Sequence, residues 1–205
     1  MADFLSTTSW NFPQIKWLDR HMEGHRGFIA GGAFKQIFTG GKVKDIDIFF
    51  ETKEDFAKAQ SKFAESDDYH KYYDSPKVEA YKCIKTGVTI ELVKKCYGNA
   101  ETTIGKFDFT ITKFAYYKHV EEDEFGAETL TYRCAYHPLY FEHLSLKRLV
   151  IDDNIPLPAN TFDRMFRYGK YGYFPCRETK MRVITALREM PEGFDLSRSM
   201  YDGLD

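Results

Sequence analysis

Along the first two thirds of the chain the apolar positions switch repeatedly between a helical and an alternating spacing. In FPQIKWLDRHM, Ile15, Leu18 and Met22 fall at helical intervals. RGFIAGG then reads as a short apolar strand ending on two glycines, and AFKQIF as one or two helical turns. KDIDIFF is a strand with aspartates on one face and isoleucines on the other. TKEDFAKAQSKFAES predicts an amphipathic helix, with Thr52 as its cap and Phe56, Ala59 and Phe63 as its stripe. KVEAYKCI and GVTIELVKK read as a hairpin turning at Lys85-Thr86-Gly87. NAETTIGKF predicts a short helix, FDFTITKFAYY a β-branched and aromatic strand, and TLTYRCAY a further strand beyond the acidic turn EEDEFG.

From His137 the pattern becomes helical, in LYFEHLSLKRLVI, NTFDRMFRYGKYGY and RETKMRVITALREM. The expectation is an α+β fold: a mixed, largely antiparallel sheet flanked by helices, followed by a small helical tail. The expected divisions are a core over residues 1–136, a helical subdomain over 137–190 and a polar tail over 191–205.

Composition narrows this picture. The chain has 205 residues and a formal net charge of -2, so no global basic field advertises nucleic acid, although 29 Lys and Arg leave room for a local basic groove. Cys83, Cys96, Cys134 and Cys176 include no CxxC pair, which points to reduced, small apolar residues rather than a zinc ribbon. The six histidines show no HxH or HExxH spacing. With no basic start before an apolar run and no membrane-length apolar stretch, the expected compartment is the cytoplasm.

The chemistry concentrates in GGAFKQIFTGGKVKDIDIFFE. Residues two apart on a strand point the same way, so Asp45 and Asp47 share a face while Ile46 and Ile48 point to the core. Two such anions repel unless a cation sits between them, and magnesium binds through one or two carboxylates plus substrate phosphates. An exposed sheet face with two solvated aspartates fits the same pattern. Gly31-Gly32 ends a strand and opens a helical turn, where backbone N–H groups are able to approach a phosphate. Glu91, between the core-facing Ile90 and Leu92, supplies a third carboxylate if its strand lies beside DIDIF; otherwise it is an edge-strand surface charge. Lys42 and Lys44 precede the aspartates and face either a triphosphate or solvent. Strand parity would put Asp108, Thr110 and Thr112 on one face. Arg164, Arg167 and Tyr171 recur at i, i+3, i+7, forming either a nucleotide- or RNA-gripping face or an ordinary surface helix.

These residues together resemble the nucleotidyltransferase superfamily typified by DNA polymerase β, and within it the branch of tRNA 3′-end (CCA-adding) enzymes and bacterial poly(A) polymerases. GGAFKQIFTGGKVKDID is similar in length and framing to the first motif of that branch, and Asp108-Phe109-Thr110-Ile111 to its ribose-contacting motif. Small bacteriophage nucleotidyltransferases are similar in FDFTI and RYGKYGYF. Departures are Lys35-Gln36 where the branch has Arg-Asp, Lys106-Phe107 for Arg-Arg, Thr112-Lys113 for Asn-Ala, and no E-D-x-x-R element.

The resemblance implies transfer of a nucleoside monophosphate from an NTP, such as ATP, to an acceptor hydroxyl, with release of pyrophosphate. Two magnesium or manganese ions would be held by Asp45 and Asp47, with Glu91 or Asp108 as the third carboxylate. Gly31, Gly32, Lys35, Lys44, Asp108, Arg164 and Arg167 would surround the nucleotide. An RNA 3′ end is the favoured acceptor; a protein or small-molecule acceptor, or a nucleotide-binding module without turnover, are the alternatives. A haloacid-dehalogenase-type phosphatase is disfavoured by Phe49, and a sugar-nucleotide glycosyltransferase by the framing of the glycines and DxD.

Overall fold

The computed structural model describes residues 3–122, 125–152 and 155–191. The chain opens with β1 (Leu5–Thr8), two 3-10 turns (Ser9–Asn11 and Pro13–Leu18) and α1 (Asp19–Met22). Then come β2 (Phe28–Ala30), α2 (Ala33–Phe38), β3 (Asp45–Phe50), α3 (Lys53–Glu65), β4 (Tyr69–Asp74), β5 (Val78–Cys83) and β6 (Thr89–Tyr97). After α4 (Ala100–Gly105) and a 3-10 turn at Thr110–Thr112 follow β7 (Phe114–Glu122) and β8 (Glu128–Tyr136). The last part carries α5 (Tyr140–Ser145), β9 (Arg148–Leu149), α6 (Pro158–Lys170), β10 (Phe174–Pro175) and α7 (Arg177–Arg188).

Eight strands form one mixed sheet in the order β1-β8-β7-β2-β3-β6-β5-β4. Within it β3 and β6 run parallel and the other neighbours antiparallel. The parallel pair requires a crossover, which α3 and the β4–β5 hairpin supply. Thr52 caps α3 as expected, its side chain accepting from the Asp55 N–H. Ala59 and Phe63 of that helix are buried against the sheet.

Alternation sorts the central strands between two apolar layers. Ile46, Ile48, Ile90 and Leu92 join the larger cluster, whereas Phe28, Phe49 and Val93 meet Ala100 and Ile104 of α4 on the opposite face. Asp45, Asp47 and Glu91 continue that second face beyond its apolar cover. The larger cluster also takes in Tyr140, Leu144, Leu149, Tyr168, Tyr173 and Val183, so the C-terminal elements pack on the same core as β2 and α2.

Several local expectations are corrected. Residues 107–112 are not strand: Phe109 makes only an isolated bridge to Ile151, and β7 begins at Phe114. The Thr112 hydroxyl donates to the Phe109 carbonyl (2.8 Å), a side-chain bond that favours the 3-10 turn, so the expected shared face of Asp108, Thr110 and Thr112 does not form. The helix expected through LYFEHLSLKRLVI stops at Ser145. Lys147 adopts φ 52, and Arg148–Leu149 pairs with Phe174–Pro175 instead. The N-terminal helical pattern is mostly 3-10, although Ile15, Leu18 and Met22 are fully buried as their spacing demands. Strands β1 and β4 were not expected. Cys176 is no passive apolar residue, because its Sγ caps α7 by accepting from the Thr179 N–H. The expected polar tail lies, from residue 192 on, outside the described residues.

Candidate active site

One cross-strand rung organises the acids. Asp47 stands opposite Glu91 in the parallel β3–β6 pair, and opposite Ala30 of β2. Glu91 in turn stands opposite Ala80 of β5, and Ala80 opposite Tyr73 of β4. Ala30–Asp47–Glu91–Ala80–Tyr73 is therefore a single line across five strands. Asp45 lies on the same face one step away, opposite Thr89.

Tyr73 crosses Ala80 to reach its neighbour, and its hydroxyl donates to Glu91 Oε1. An alanine between them leaves that width open. An irregularity in the β4–β5 register between Lys71 and Tyr73 decides which tyrosine does this, because without the extra residue Tyr72 would stand opposite Ala80. Nothing in the polar run YHKYYD reveals a strand or its bulge, so the sequence does not point to Tyr73.

The electrostatics follow from the crowding. Burial, first, and the negative charge of Asp45 push Glu91 above the ordinary carboxylate range, while hydrogen bonds with Tyr73 and Asp47 pull it back. The Tyr73 hydroxyl is held above its ordinary value by burial, by its bond to Glu91, and by the charges of Glu91, Asp45 and Asp47. A divalent cation suits this place chemically, because the donors are all hard oxygens and added positive charge would relieve the repulsion. Among the described residues, no three His, Cys, Asp or Glu side chains already stand grouped as a metal site. Phosphate oxygens of a substrate would have to complete any coordination shell there.

Asp45 and Asp47 form one wall of a cleft of about 190 Å³. Gly32, Lys35, Lys44, Arg167, Tyr168 and Tyr171 are among its other lining residues. Gly31 sits at φ 97 beside it, where a Cβ would lie 3.7 Å from Asp47 Oδ2 and 3.7 Å from the Phe107 ring. Its N–H donates to the Phe114 carbonyl (3.1 Å), so of the glycine pair it is Gly32 whose backbone borders the cleft. Gly31 serves the turn and the close approach of Asp47.

Lys35 is buried, and its ammonium lies 5.5, 5.1 and 5.6 Å from the ring centres of Tyr168, Tyr171 and Tyr173. The residue that departs from the family pattern is thus the seat on which RYGKYGY docks, through cation–π contacts at the mouth of the cleft. Periodicity suggested the tyrosine face of α6 but not its partner.

Asp108 and Arg164 do not join this cleft's lining. Arg164 Nη1 lies 3.0 Å from Asp108 Oδ1, with both side chains 4% exposed. The Phe109 N–H donates to Asp108 Oδ1 (2.7 Å) and the Thr161 hydroxyl to Oδ2 (3.0 Å). Arg164 also stacks over Phe109, at 5.6 Å from its ring centre. The pair fastens α6 to the segment before β7. A second joint ties the segment after β9 to the start of β7 and the end of β8: Lys113 Nζ lies 2.7 Å from Asp152 Oδ1, and His137 Nε2 lies 3.4 Å from Oδ2. Of the expected helix face, Arg167 and Tyr171 border the cleft and Arg164 is buried beneath it.

Comparison with known proteins adds three facts. The family model described as Gabija anti-defense 2 family protein matches residues 6–147. A curated relative, "Gabija anti-defense 2" of Bacillus phage SPbetaL7, is 23% identical over 170 residues, which is 82% of this chain but 39% of the relative's length. Among solved structures, a CCA-adding enzyme in complex with CTP is similar with a TM-score of 0.58 at 15% identity, covering 90% of this chain and 46% of that one. The Thermotoga maritima CCA-adding enzyme complexed with tRNA follows at 0.57 and 13%, covering 90% and 46%. A CCA-adding enzyme with ATP is similar at 0.57 and 15%, covering 90% and 47%. The fold is thus that of CCA-adding nucleotidyltransferases, and this chain spans less than half the length of each of these proteins. No helix among the described residues is long and apolar enough to cross a membrane.

Proposed function

The chain belongs to the Gabija anti-defense 2 family, and we propose that it works there as a metal-dependent nucleotidyltransferase. It would move a nucleoside monophosphate from an NTP to an acceptor hydroxyl and release pyrophosphate. The observation that carries this reading is a cleft walled by Asp45 and Asp47 on one side and by basic and aromatic residues on the other, with Glu91 paired to Asp47 on the next strand, outside the lining. That arrangement supports the reading because catalysis of phosphoryl transfer rests almost wholly on positioning and charge stabilisation.

Asp45, Asp47 and Glu91 are the residues that would hold magnesium or manganese. The ions would neutralise the triphosphate and the charge developing on the attacking and leaving oxygens. Gly32 and Lys44 border the place where phosphates would lie, and Arg167 faces it from α6. Glu91, paired with Asp47 on the next strand, is the carboxylate that would take the acceptor hydroxyl's proton. Lys35 and its three tyrosines fix the lid of aromatic residues over the nucleotide. Asp108 and Arg164 act at one remove, by fixing α6 and so placing Arg167.

An RNA 3′ end is the favoured acceptor, on the likeness to enzymes solved with tRNA; a protein or small-molecule hydroxyl is the alternative. The reaction would serve the counter-defence role that the family name describes, in the host cytoplasm if a phage encodes the chain. A second reading, NTP binding without turnover, draws on Lys35-Gln36, which stand where the resembled branch has Arg-Asp. Incubation with α-labelled NTPs, magnesium or manganese, and RNA decides between them. Label in RNA that disappears in Asp45→Asn supports transfer; tight NTP binding with no label in any acceptor supports the second reading.

A further inference from the structure

We propose that Tyr73 is itself an acceptor: a self-modification site at which the chain receives a nucleoside monophosphate on its own phenolic oxygen. The proposal rests on the nucleotidyltransferase reading. The acceptor hydroxyl of such a reaction must donate its hydrogen to the base and lie beside the acids that would hold the metal ions. The Tyr73 hydroxyl donates to Glu91, and it lies on the strand rung that also carries Asp47. The bulge in β4 aims it there across Ala80. Tyr73 remains 39% exposed, so a nucleotide has access to it. Tyr72 is the contrast: its ring lies under the Lys82 ammonium at 5.0 Å, one residue out of the rung that carries the acids.

In the step, the Tyr73 oxygen attacks the α-phosphorus of the NTP. The new O–P bond forms as the bond from the α-phosphorus to the α,β-bridging oxygen breaks. Pyrophosphate leaves with that electron pair, and the phenolic proton passes to Glu91. No redox change occurs, and the co-reactant is the NTP alone.

The full chain is incubated with α-labelled NTP and manganese, with and without RNA, and read by intact mass and peptide mapping. The expected result is one nucleoside monophosphate per chain on the Tyr73 peptide, retained in Tyr72→Phe and reduced at least about tenfold in Tyr73→Phe. A second readout needs no turnover: an ATP analogue with a methylene in the α,β bridge should slow nitration of Tyr73 several-fold and leave Tyr72 unchanged. Label in RNA but not in the protein overturns the proposal and leaves the transferase reading standing. Label on another residue, or no protection of Tyr73, overturns it likewise. Label in neither RNA nor protein overturns this proposal together with transfer to RNA.

Discussion

Two sets of carboxylates in this molecule share a residue type and differ in everything around it. Asp108 is buried beneath α6 with the Arg164 guanidinium at 3.0 Å and hydrogen bonds to both oxygens. Glu91 lies on the sheet rung with Asp47 and Asp45 as its charged neighbours, and burial and Asp45 hold it above the ordinary carboxylate range. The first is a joint, because a buried carboxylate with both oxygens bonded and a guanidinium beside it is held in one geometry. The second is a place where negative charge is concentrated and a cation would be welcome. A buried acid is thus informative about function only through its partners. By that test the sheet acids, and not Asp108, are the ones the proposed reaction would use.

The comparison breaks most decisively at Asp47. Asp47→Asn should lower nucleotide transfer on the order of 10³-fold, about 4 kcal/mol of transition-state stabilisation, while the melting temperature stays level or rises. Incorporation assays beside thermal melts read both, and equal losses of activity and stability would make Asp47 a joint like Asp108. The reverse is expected at Arg164. Arg164→Ala leaves the Asp108 charge buried without its guanidinium and should cost about 3–5 kcal/mol of unfolding free energy in urea titrations. A loss under about 1 kcal/mol would mean that α6 is held otherwise.

Lys35→Met tests the seat between the regions. The three ring contacts are worth about 2 kcal/mol where desolvated, so docking of the aromatic segment should loosen and NTP affinity fall about tenfold in calorimetric titration. Unchanged affinity would separate the tyrosines from the nucleotide.

The smallest effect is the pH dependence of Glu91. Its folded pKa is raised, so the folded chain holds the proton more tightly than the unfolded one. Its stabilising contribution is complete below the unfolded value near 4.5 and is lost as pH rises through the raised folded value. Glu91→Gln should flatten that part of the stability curve, so that melts of the two proteins draw apart in the variant's favour as pH rises. Magnesium or manganese should oppose the loss in the parent chain alone. Parallel curves would show that Glu91 is not under strain from its neighbours.

How much was legible beforehand differs from residue to residue. Ile46 and Ile48 announced the buried face of β3, and with it the common face of Asp45 and Asp47, because a period of two is a property of the strand itself. Thr52 and the stripe Phe56-Ala59-Phe63 announced α3 for the same local reason. Asp108 misled: its neighbours have strong strand propensity, yet the hydroxyl of Thr112 and the bridge to Ile151 turn the segment. YHKYYD is polar enough to pass for a loop and pairs only because β5 offers it an edge.

The sequence by itself determined the alternation that puts two carboxylates on one face, the glycines that turn the chain beside them, and the central helices and strands from β2 to α3. Each is governed by interactions within a few residues. Which acids face one another was decided only in the folded chain, since strand neighbours and register depend on residues far apart: Asp47 meets Glu91 through a parallel pairing 44 positions away in number. The same holds for the Lys35 cage, the Asp108–Arg164 joint, and the single bulged residue that turns Tyr73 rather than Tyr72 toward the acids.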